Sequence, residues 1–357
     1  MAELSDKIRI KDIAELAGVS KGTVDRVIHN RGEVSEASRK KVEKVLQEMN
    51  YKPNVYASAL ASKKRYHFLC ILPEHGADDY WAQVEAGIKK QMAELRDLNV
   101  TVDLHYYDQY DVYACRELYE KVPGMQPDAV LMAPLFKDSS EKLARKLEEQ
   151  HIPFVFVDSQ VEGVEPLAYY GMHSFKSGHL AAKLLFHEHP EIESAVMFHA
   201  VRRGETGANQ TVQRKAGFME YIRCHRPGCV LHSVGLHWNN KEENDRILTR
   251  FFEEHPEVKA GVTFNSRVFM IADYLQRNAS REFRLLGYDL LGQNVTFLKS
   301  GEIEYLIAQR PEIQGYRGVK ALADHLIFKQ EVSAVNYMPM DILTDENMEF
   351  YLNFPSI

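Results

Sequence analysis

From residue 66 onward, short apolar runs alternate with amphipathic stretches of helical periodicity. Runs that are apolar on both faces are typical of strands in a parallel sheet covered by helices on both sides. Because the alternation occurs in two series, it predicts an α/β fold of two doubly wound lobes. The predicted strands are HFLCILP, VTVDLHYY, DAVLMAP, IPFVFVD, SAVMFHA, CVLHSVG, AGVTFN and FRLLGYD. The predicted helices are 83–96, 112–121, 140–150, 176–188, 211–224, 241–254 and 266–277.

The residues before 66 form a small head of opposite charge. The whole chain has a net charge of −7. Residues 1–65 hold 14 Lys and Arg against 9 Asp and Glu, net +5, which leaves 30 against 42, net −12, for residues 66–357. A basic head can meet phosphate by counterion release while the acidic body stays off nucleic acid. On charge alone, a solvated basic stretch without a partner remains the alternative.

The head sequence predicts three short helices. The first, KDIAELA, is followed by Gly18, where helices commonly end, and Ser20 can cap the second, KGTVDRVI. A third helix begins at Ser35. The residues expected to face the core are Ile13, Leu16, Ala17, Val24, Val27, Ile28, Val42, Val45, Leu46 and Met49. The opposite face of the second helix is short or polar, which suits a DNA major groove, and carries Lys21, Gly22, Asp25, Arg26 and His29.

Within the head, D-I-A-x-x-A-G-V-S-x-x-T-V-x-R-V is followed by V-S-x-x-S-R-x-K-V and N-Y-x-P-N. This pattern is far too long for a chance match, and over residues 8–62 it closely resembles the DNA-binding head of the LacI/GalR (lactose/galactose repressor) family. The resemblance implies that Lys21, Gly22 and Arg26 read bases, and that Ser20, Thr23 and His29 contact or flank phosphates. A bidentate contact from Arg26 to guanine is worth about 1–3 kcal/mol of discrimination.

Two residues depart from the family pattern. Asp25 stands where Ser is usual, and His29 where Asn is usual. Asp25 either accepts a hydrogen bond from a cytosine amino group or pairs with Lys21 or Arg26. Gly22 costs about 1 kcal/mol of helix propensity, so it either admits a base edge close to the backbone or is merely neutral.

Residues 53–65 match the hinge and linker of the family through the frame P-N-x-x-A-x-x-L. In the family this hinge is helical when two copies lie together in the minor groove. The resemblance therefore adds Asn54, Tyr56, Ala57 and Leu60 to the DNA contacts, with Leu60 as a wedge between base pairs. Without the resemblance, Leu60 would be an ordinary linker residue.

The body carries polar and aromatic residues where its predicted strands end, which is where open α/β sheets bind ligands. Carboxylates, amides, an Arg fork and aromatic faces are what a polyol needs, because each buried hydroxyl must be paired. The body also resembles the type I periplasmic-binding-protein fold through R-x-x-G-F, G-Y-D and L-K-x-G-x-I-x-x-x-I-A-Q-x-P. The residues expected to bind a small carbohydrate or sugar-acid effector are Tyr80, Trp81, Asp158, Arg214, Asn265, Asp289 and Gln309.

Three features of the body leave the effector open. Asp78-Asp79 replaces the usual Asn-Pro of the family, and His173-Ser174 replaces a common Asp-Asn pair. If Arg202 and Arg203 face the cleft, an acidic sugar becomes plausible; if they face outward, they are solvated charges.

These patterns predict an effector-controlled, sequence-specific transcriptional regulator, acting as a homodimer on a pseudo-palindromic operator. The expected domains are 1–52, the hinge 53–65 and the body 66–357, with one lobe over 66–160 and 293–325 and the other over 161–292 and 326–357. Phosphate-loop, dinucleotide, nucleophile-elbow and zinc-protease motifs are missing from the sequence, so we assign no catalytic residue, cofactor or metal. The body alone would equally suit a carbohydrate-binding protein.

The remaining sequence signals concern location and redox chemistry. The N-terminal residues lack the apolar region of a signal peptide, no run of 18 apolar residues occurs, and a cytoplasmic protein is expected. The cysteines, without a C-x-x-C pair, are expected to be reduced and mostly buried. They are Cys70, Cys115, Cys224 and Cys229. We interpret His187 and His189 as surface residues rather than metal ligands.

Overall fold

The structure is a computed structural model that describes residues 9–28, 32–49, 51, 55–187, 189–204, 208–278 and 282–353. The chain divides into two compact units, residues 1–62 and 63–357, and this boundary falls within the expected hinge and linker. Among the described helices, none is both long and apolar enough to cross a membrane.

The first unit has four helices in its described residues. They are α1 (Ile10–Ala17), α2 (Lys21–Ile28), α3 (Glu36–Glu48) and α4 (Val55–Ala61). Their core consists of Ile13, Ala14, Ala17, Val24, Val27, Val42 and Val45, with Ile28, Leu46 and Met49 packed at its edge. The expectation for Leu16 was wrong, since this residue is 63% exposed. Positions 13, 14 and 17 form the inner face of α1 and turn position 16 outward.

The turn between α1 and α2 follows from two residues. Gly18 has a left-handed backbone with φ of 62°, which glycine adopts without a Cβ clash, and it ends α1. Ser20 then caps α2, because its Oγ accepts a hydrogen bond of 3.1 Å from the Thr23 N–H. Ser35 caps α3 in the same way, accepting from the Ser38 N–H at 3.3 Å. The cap predicted at Ser20 and the helix end predicted at Gly18 are therefore confirmed, and α3 begins directly after Ser35.

Lobe 1 of the second unit is built on a sheet with the strand order β11-β5-β4-β3-β1-β2, in which every neighbouring pair is parallel. Its strands are β1 (Tyr66–Pro73), β2 (Val100–Tyr107), β3 (Ala129–Met132), β4 (Phe154–Val157), β5 (Ala168–Gly171) and β11 (Val335–Tyr337). Its helices are α5 (Tyr80–Leu95), α6 (Val112–Lys121), α7 (Lys137–Glu149) and α13 (Pro311–Leu326), with a 3₁₀ turn at Val122–Met125. Helix α5 packs on α13, and α6 on α7.

Lobe 2 repeats this arrangement with the order β12-β10-β9-β8-β6-β7, in which only the β10–β12 pair is antiparallel among the described strands. Its strands are β6 (Ser194–Ala200), β7 (Val230–Leu236), β8 (Ala260–Thr263), β9 (Arg284–Tyr288), β10 (Tyr305–Ala308) and β12 (Asp341–Leu343). Its helices are α8 (Ser174–Phe186), α9 (Asn209–His225), α10 (Lys241–Glu254), α11 (Phe269–Arg277), α12 (Gly292–Lys299) and α14 (Met348–Asn353). The α/β fold of two lobes predicted from the sequence is confirmed.

The lobe boundaries differ from those expected. The chain crosses between the lobes three times, after β5, after β10 and after β11. Strand β5 therefore extends lobe 1 beyond residue 160, α12 and β10 belong to lobe 2 rather than lobe 1, and β11 returns to lobe 1. These assignments depend on which sheet edge each segment pairs with, and local periodicity carries no such information.

The expectation that the cysteines are mostly buried is wrong. Cys70 and Cys115 are buried, whereas Cys224 is exposed and Cys229 is half-buried. All four are free thiols.

Helices α8 and α9 touch through their backbones at Gly178. A Cβ at this position would overlap the carbonyl oxygen of Arg214. We expect Gly178→Ala to push the helices apart and to lower the free energy of unfolding by about 1–3 kcal/mol. Urea unfolding of the purified chain measures this loss. Gly292→Ala is the matched control, since a Cβ there meets no described atom within 4 Å; an equal loss in both variants would contradict the explanation.

Candidate functional site

A cluster of polar side chains lies beyond the carboxyl ends of strands from both lobes. Asp158 follows β4, Asp289 follows β9 and Gln309 follows β10. Arg214 comes from α9, and Tyr80 is the first residue of α5. All five are buried, with at most 5% of their surface exposed. Because lobe 1 supplies Tyr80 and Asp158 and lobe 2 the other three, the cluster lies where the two lobes meet.

Arg214 is held by lobe 2 on three sides. Its Nη1 donates to the Phe264 carbonyl at 2.9 Å, and its Nη2 donates to Gln309 Oε1 at 3.2 Å. Its guanidinium carbon lies 4.1 Å from the centre of the Tyr288 ring, a cation–π contact. Gln309 in turn donates through Nε2 to the two Asp289 carboxylate oxygens at 3.1 and 3.3 Å. The guanidinium fork is therefore fixed before any ligand binds.

Gln314 joins the two lobes within the cluster, although no sequence pattern indicated it. Its Oε1 accepts from the Asp158 N–H at 3.0 Å and from the Tyr80 hydroxyl at 3.4 Å. Its Nε2 donates to the Gln309 carbonyl at 2.9 Å. Gln314 lies on α13 rather than at a strand end, so the rule that identified the other residues passes over it.

The two aspartates share an unusual backbone conformation. Asp158 has φ of 68° and Asp289 has φ of 67°, in the left-handed region that Asp enters more easily than most residues. Their strands, β4 and β9, occupy corresponding places in the two sheets. Such backbone strain costs of order 1–3 kcal/mol and is common at functional sites. The two lobes thus present equivalent carboxylates to one site.

Burial dominates the electrostatics of both carboxyl groups. It raises the pKa of Asp158 to about 6, although the Arg214 guanidinium and the Tyr80 hydroxyl oppose this rise. It raises the pKa of Asp289 to about 7 against the effects of Arg214 and Gln309, and the nearby Asp158 adds to the rise. Desolvation of a charged group is the cause in both cases. Hydrogen bonds from a ligand to either carboxylate would offset part of this desolvation free energy.

Two buried atoms of the cluster have no hydrogen-bond partner among the described residues: Asp158 Oδ1 and Arg214 Nε. An unpaired buried polar group costs about 1–3 kcal/mol. One is an acceptor and the other a donor, and a hydroxyl group can satisfy either. The arrangement can therefore bind a polyhydroxylated ligand by replacing its water shell.

Two of the expected effector residues, Trp81 and Asn265, contact residues close to them in the sequence. Trp81 is 4% exposed and packs edge-on against the Tyr80 ring, with centroids 4.9 Å apart, so it supports Tyr80. Asn265 is half-buried, and its Oδ1 accepts a hydrogen bond of 2.9 Å from the Arg267 N–H. It thus shapes the loop after β8, where its neighbour Phe264 binds Arg214.

Aromatic and charged contacts bridge the lobes beside the cluster. The Tyr110 ring of lobe 1 stacks on the Trp238 ring of lobe 2, with centroids 4.9 Å apart and planes 6° apart. Asp79 Oδ1 of lobe 1 lies 2.9 Å from Arg267 Nη2 of lobe 2. Tyr110 and Trp238 both follow the end of a strand, so the strand-end rule could have found them.

Arg202 and Arg203 contact the loop after β2. Arg202 Nε donates to the Gln109 carbonyl at 3.0 Å, and its guanidinium carbon lies 5.6 Å from the Tyr110 ring. Arg203 is paired with Asp111 at 3.2 Å, and its side chain is 75% exposed. Arg203 therefore points outward, but it is ion-paired with a residue of lobe 1 rather than simply solvated. Both arginines belong to the bridge between the lobes.

The first unit presents a separate polar surface on α2. Ser20, Lys21, Gly22 and Arg26 are exposed, and Thr23 and Asp25 are half-buried. On α4, Tyr56 and Leu60 are each 57% exposed. His29, Asn54 and the side chain of Ala57 lie outside the described residues. An exposed polar helix face and an exposed apolar side chain are the two features expected of groove contact.

Comparison with known families agrees with this division of the chain. Residues 69–330 match the family described as periplasmic binding protein domain. Residues 9–54 match the family described as bacterial regulatory proteins, lacI family.

Individual proteins extend the comparison. The HTH-type transcriptional regulator MalR of Streptococcus pneumoniae is 26% identical over 165 residues, 45% of this chain and 48% of that protein. The ribose operon repressor of Halalkalibacterium halodurans is 23% identical over 278 residues, 78% of this chain and 76% of that protein. The chain spans about half the length of the first curated relatives it matches. A solved structure from Bacteroides fragilis, assigned as a LacI transcriptional regulator, is 41% identical with a TM-score of 0.77, covering 81% of this chain and all of that one.

Proposed function

The chain belongs to the LacI family of bacterial regulatory proteins, and from this premise we propose that it is a sequence-specific, DNA-binding transcriptional regulator of carbohydrate genes whose operator affinity is set by a small sugar or sugar derivative. Two copies would read a pseudo-palindromic operator in the cytoplasm. The operator contacts would come from the exposed face of α2 and from α4.

The buried cluster carries the proposal for the effector. Asp158, Arg214 and Asp289 combine two carboxylates with one fixed guanidinium fork, and each lobe contributes to the set. A ligand that bridges both lobes binds the closed arrangement better than the open one, which is the requirement for shifting a two-state equilibrium. Coupling of this kind is typically about 1–3 kcal/mol and acts equally in both directions.

The second candidate is a carbohydrate-binding protein without DNA binding. It would use the same cluster, and only the head separates the two functions. The exposed polar face of α2, with Ser20 capping the helix at 3.1 Å, favours the regulator.

Selection of genomic DNA fragments tests the proposal. The purified 357-residue chain is mixed with a genomic library, with no additive or with each member of a panel of sugars and sugar acids. Enrichment of a palindromic site that one ligand alters would support the regulator and reveal whether the ligand releases or recruits DNA. Ligand binding without an enriched site would favour the carbohydrate-binding protein instead.

Leu60 provides a sharper test of the DNA interface. Its side chain is 57% exposed on α4, so removing it should leave folding intact. We expect Leu60→Ala to weaken binding to the selected site by about tenfold or more, because an inserted apolar side chain stabilises the bent DNA. Leu16→Ala is the matched control, since Leu16 is 63% exposed on α1. Unchanged operator affinity in Leu60→Ala, measured by fluorescence anisotropy, would remove the wedge.

A further inference from the structure

Three side chains with metal-binding chemistry converge on lobe 2, away from the buried cluster. His232 lies on β7, the last strand of its sheet. His255 follows the end of α10, and Glu257 precedes β8 by three residues. One ligand atom of each lies within 4.8 Å of the others. Within the part of the chain that the structure describes, this is the only group of three His, Cys, Asp or Glu residues so arranged.

Glu257 lies too far from both histidines for an ordinary hydrogen bond. Its Oε1 lies 3.4 Å from His255 Nδ1 and 3.9 Å from His232 Nε2. An N–H···O hydrogen bond is about 2.7–3.2 Å long. Ligand atoms about 2.1 Å from a tetrahedral zinc ion lie about 3.4 Å from one another. The His255–Glu257 distance matches this value, and the other two pairs, which lie within 4.8 Å, would have to close by at most about 1.4 Å.

The same lobe contains the tripeptide His-Pro-Glu twice, and comparing the two copies distinguishes an ordinary turn from a candidate metal site. His189-Pro190-Glu191 precedes β6 by three residues, just as His255-Pro256-Glu257 precedes β8. In the first copy the His Nδ1 and the Glu Oε1 are 2.8 Å apart, an ordinary hydrogen bond. In the second copy this distance opens to 3.4 Å, and the ring of His232 lies 4.1 Å from that of His255. The added histidine is what distinguishes the second copy.

The ring nitrogen of His232 that faces Glu257 is Nε2, which lies 3.9 Å from Glu257 Oε1. A neutral imidazole nitrogen offers the lone pair that a metal ion binds. The Ser194 hydroxyl lies 3.2 Å from the same Nε2 and would exchange this contact for the metal.

We propose that His232, His255 and Glu257 bind a divalent transition metal, with Zn²⁺ as the best match. Two imidazole nitrogens and one carboxylate oxygen form a donor set that suits this ion, and water would fill the fourth position. The metal would fasten the edge strand β7 to the end of α10 and to the loop before β8. The site is independent of the proposed regulatory function.

Zinc titration of the tag-free, chelator-treated 357-residue chain tests the proposal, with a chromophoric chelator as competitor. We expect one site that His232→Ala weakens by about tenfold or more. Glu257→Gln, at a carboxylate that is 56% exposed, should do the same without disturbing the core. His189→Ala is the matched control and should leave zinc affinity unchanged.

Two further readouts decide the outcome. Co²⁺ should give the visible absorption of a tetrahedral nitrogen and oxygen site, and Zn²⁺ should raise the Tm of the wild type but not of Glu257→Gln. The proposal is overturned if the wild type and both site variants bind zinc with equal affinity and stoichiometry. It is equally overturned if His189→Ala loses as much zinc binding as His232→Ala.

Discussion

Replacing Arg214 by Met should abolish the effect of the sugar on operator binding and should also destabilise the body. The side chain is 1% exposed and bonds to Phe264 and Gln309 at 2.9 and 3.2 Å. Removing one member of a buried charged set leaves the other charges uncompensated, at a cost of about 3–5 kcal/mol. Sugar affinity should fall by about 100-fold or more, since loss of buried charged hydrogen bonds costs at least about 3 kcal/mol.

Two companion variants separate binding from folding. Arg214→Lys keeps the charge but loses the planar fork, so we expect a folded protein with weak sugar binding. Arg223→Met removes an arginine from the same helix, but this side chain is 72% exposed and paired with Glu220, so its loss should cost less than about 1 kcal/mol. Calorimetric sugar titration and urea unfolding measure the two effects. Retention of sugar affinity by Arg214→Met would exclude the cluster as the effector site.

Asp289→Asn should stabilise the ligand-free protein while weakening its sugar binding. The pKa of this carboxyl group is raised to about 7 from 3.8, so the folded chain holds a proton that the unfolded chain has already released. Stability therefore falls as the pH rises from about 4 to about 7, and the loss is complete only above the folded pKa. The full shift corresponds to at most about 4 kcal/mol. An amide at this position has no charge to desolvate and retains one oxygen for Gln309.

The difference in free energy of unfolding between the variant and the wild type, measured as a function of pH, tests whether ionised Asp289 destabilises the protein. We expect Asp289→Asn to exceed the wild type in free energy of unfolding by more at pH 8 than at pH 5, by about 3 kcal/mol. Asp273→Asn is the control of opposite sign. Burial raises the pKa of Asp273, but hydrogen bonds from Lys241 and Arg277 lower it more, so its loss should destabilise the protein above the carboxyl pKa. A pH-independent difference for Asp289→Asn would contradict the desolvation argument.

The sequence predicts those parts of the molecule that depend on neighbouring residues. The caps at Ser20 and Ser35 and the left-handed Gly18 are decided within four residues, and the structure has each of them. The long apolar strands are equally local. Strands β5, β10, β11 and β12 were missed, because each is only three or four residues long and is defined by its pairing with neighbouring strands.

The candidate site divides in the same way. Asp289 and Gln309 meet as expected, because parallel strands of one sheet bring their carboxyl ends to one edge. Arg214 joins them from α9, and Asp158 joins them because the corresponding edge of the other lobe faces this one. Gln314 reaches them only because α13 crosses back to lobe 1, and no local pattern predicts that return. The Trp238 and Tyr110 stack likewise requires knowing how the two lobes face each other.

The three crossings between the lobes also constrain how the body can form on the ribosome. The face of lobe 1 lacks α13 until residue 326 has been synthesised, and its sheet lacks β11 until residue 337. Helix α13 packs against α5, β3, β4 and β5. The apolar surface that it covers on lobe 1 is therefore exposed during translation of β6 to β10. Lobe 1 therefore cannot complete its fold before lobe 2 has been largely synthesised. A chain that stops before α13 would expose the apolar surface that this helix covers, and we expect it to be prone to aggregation and proteolysis.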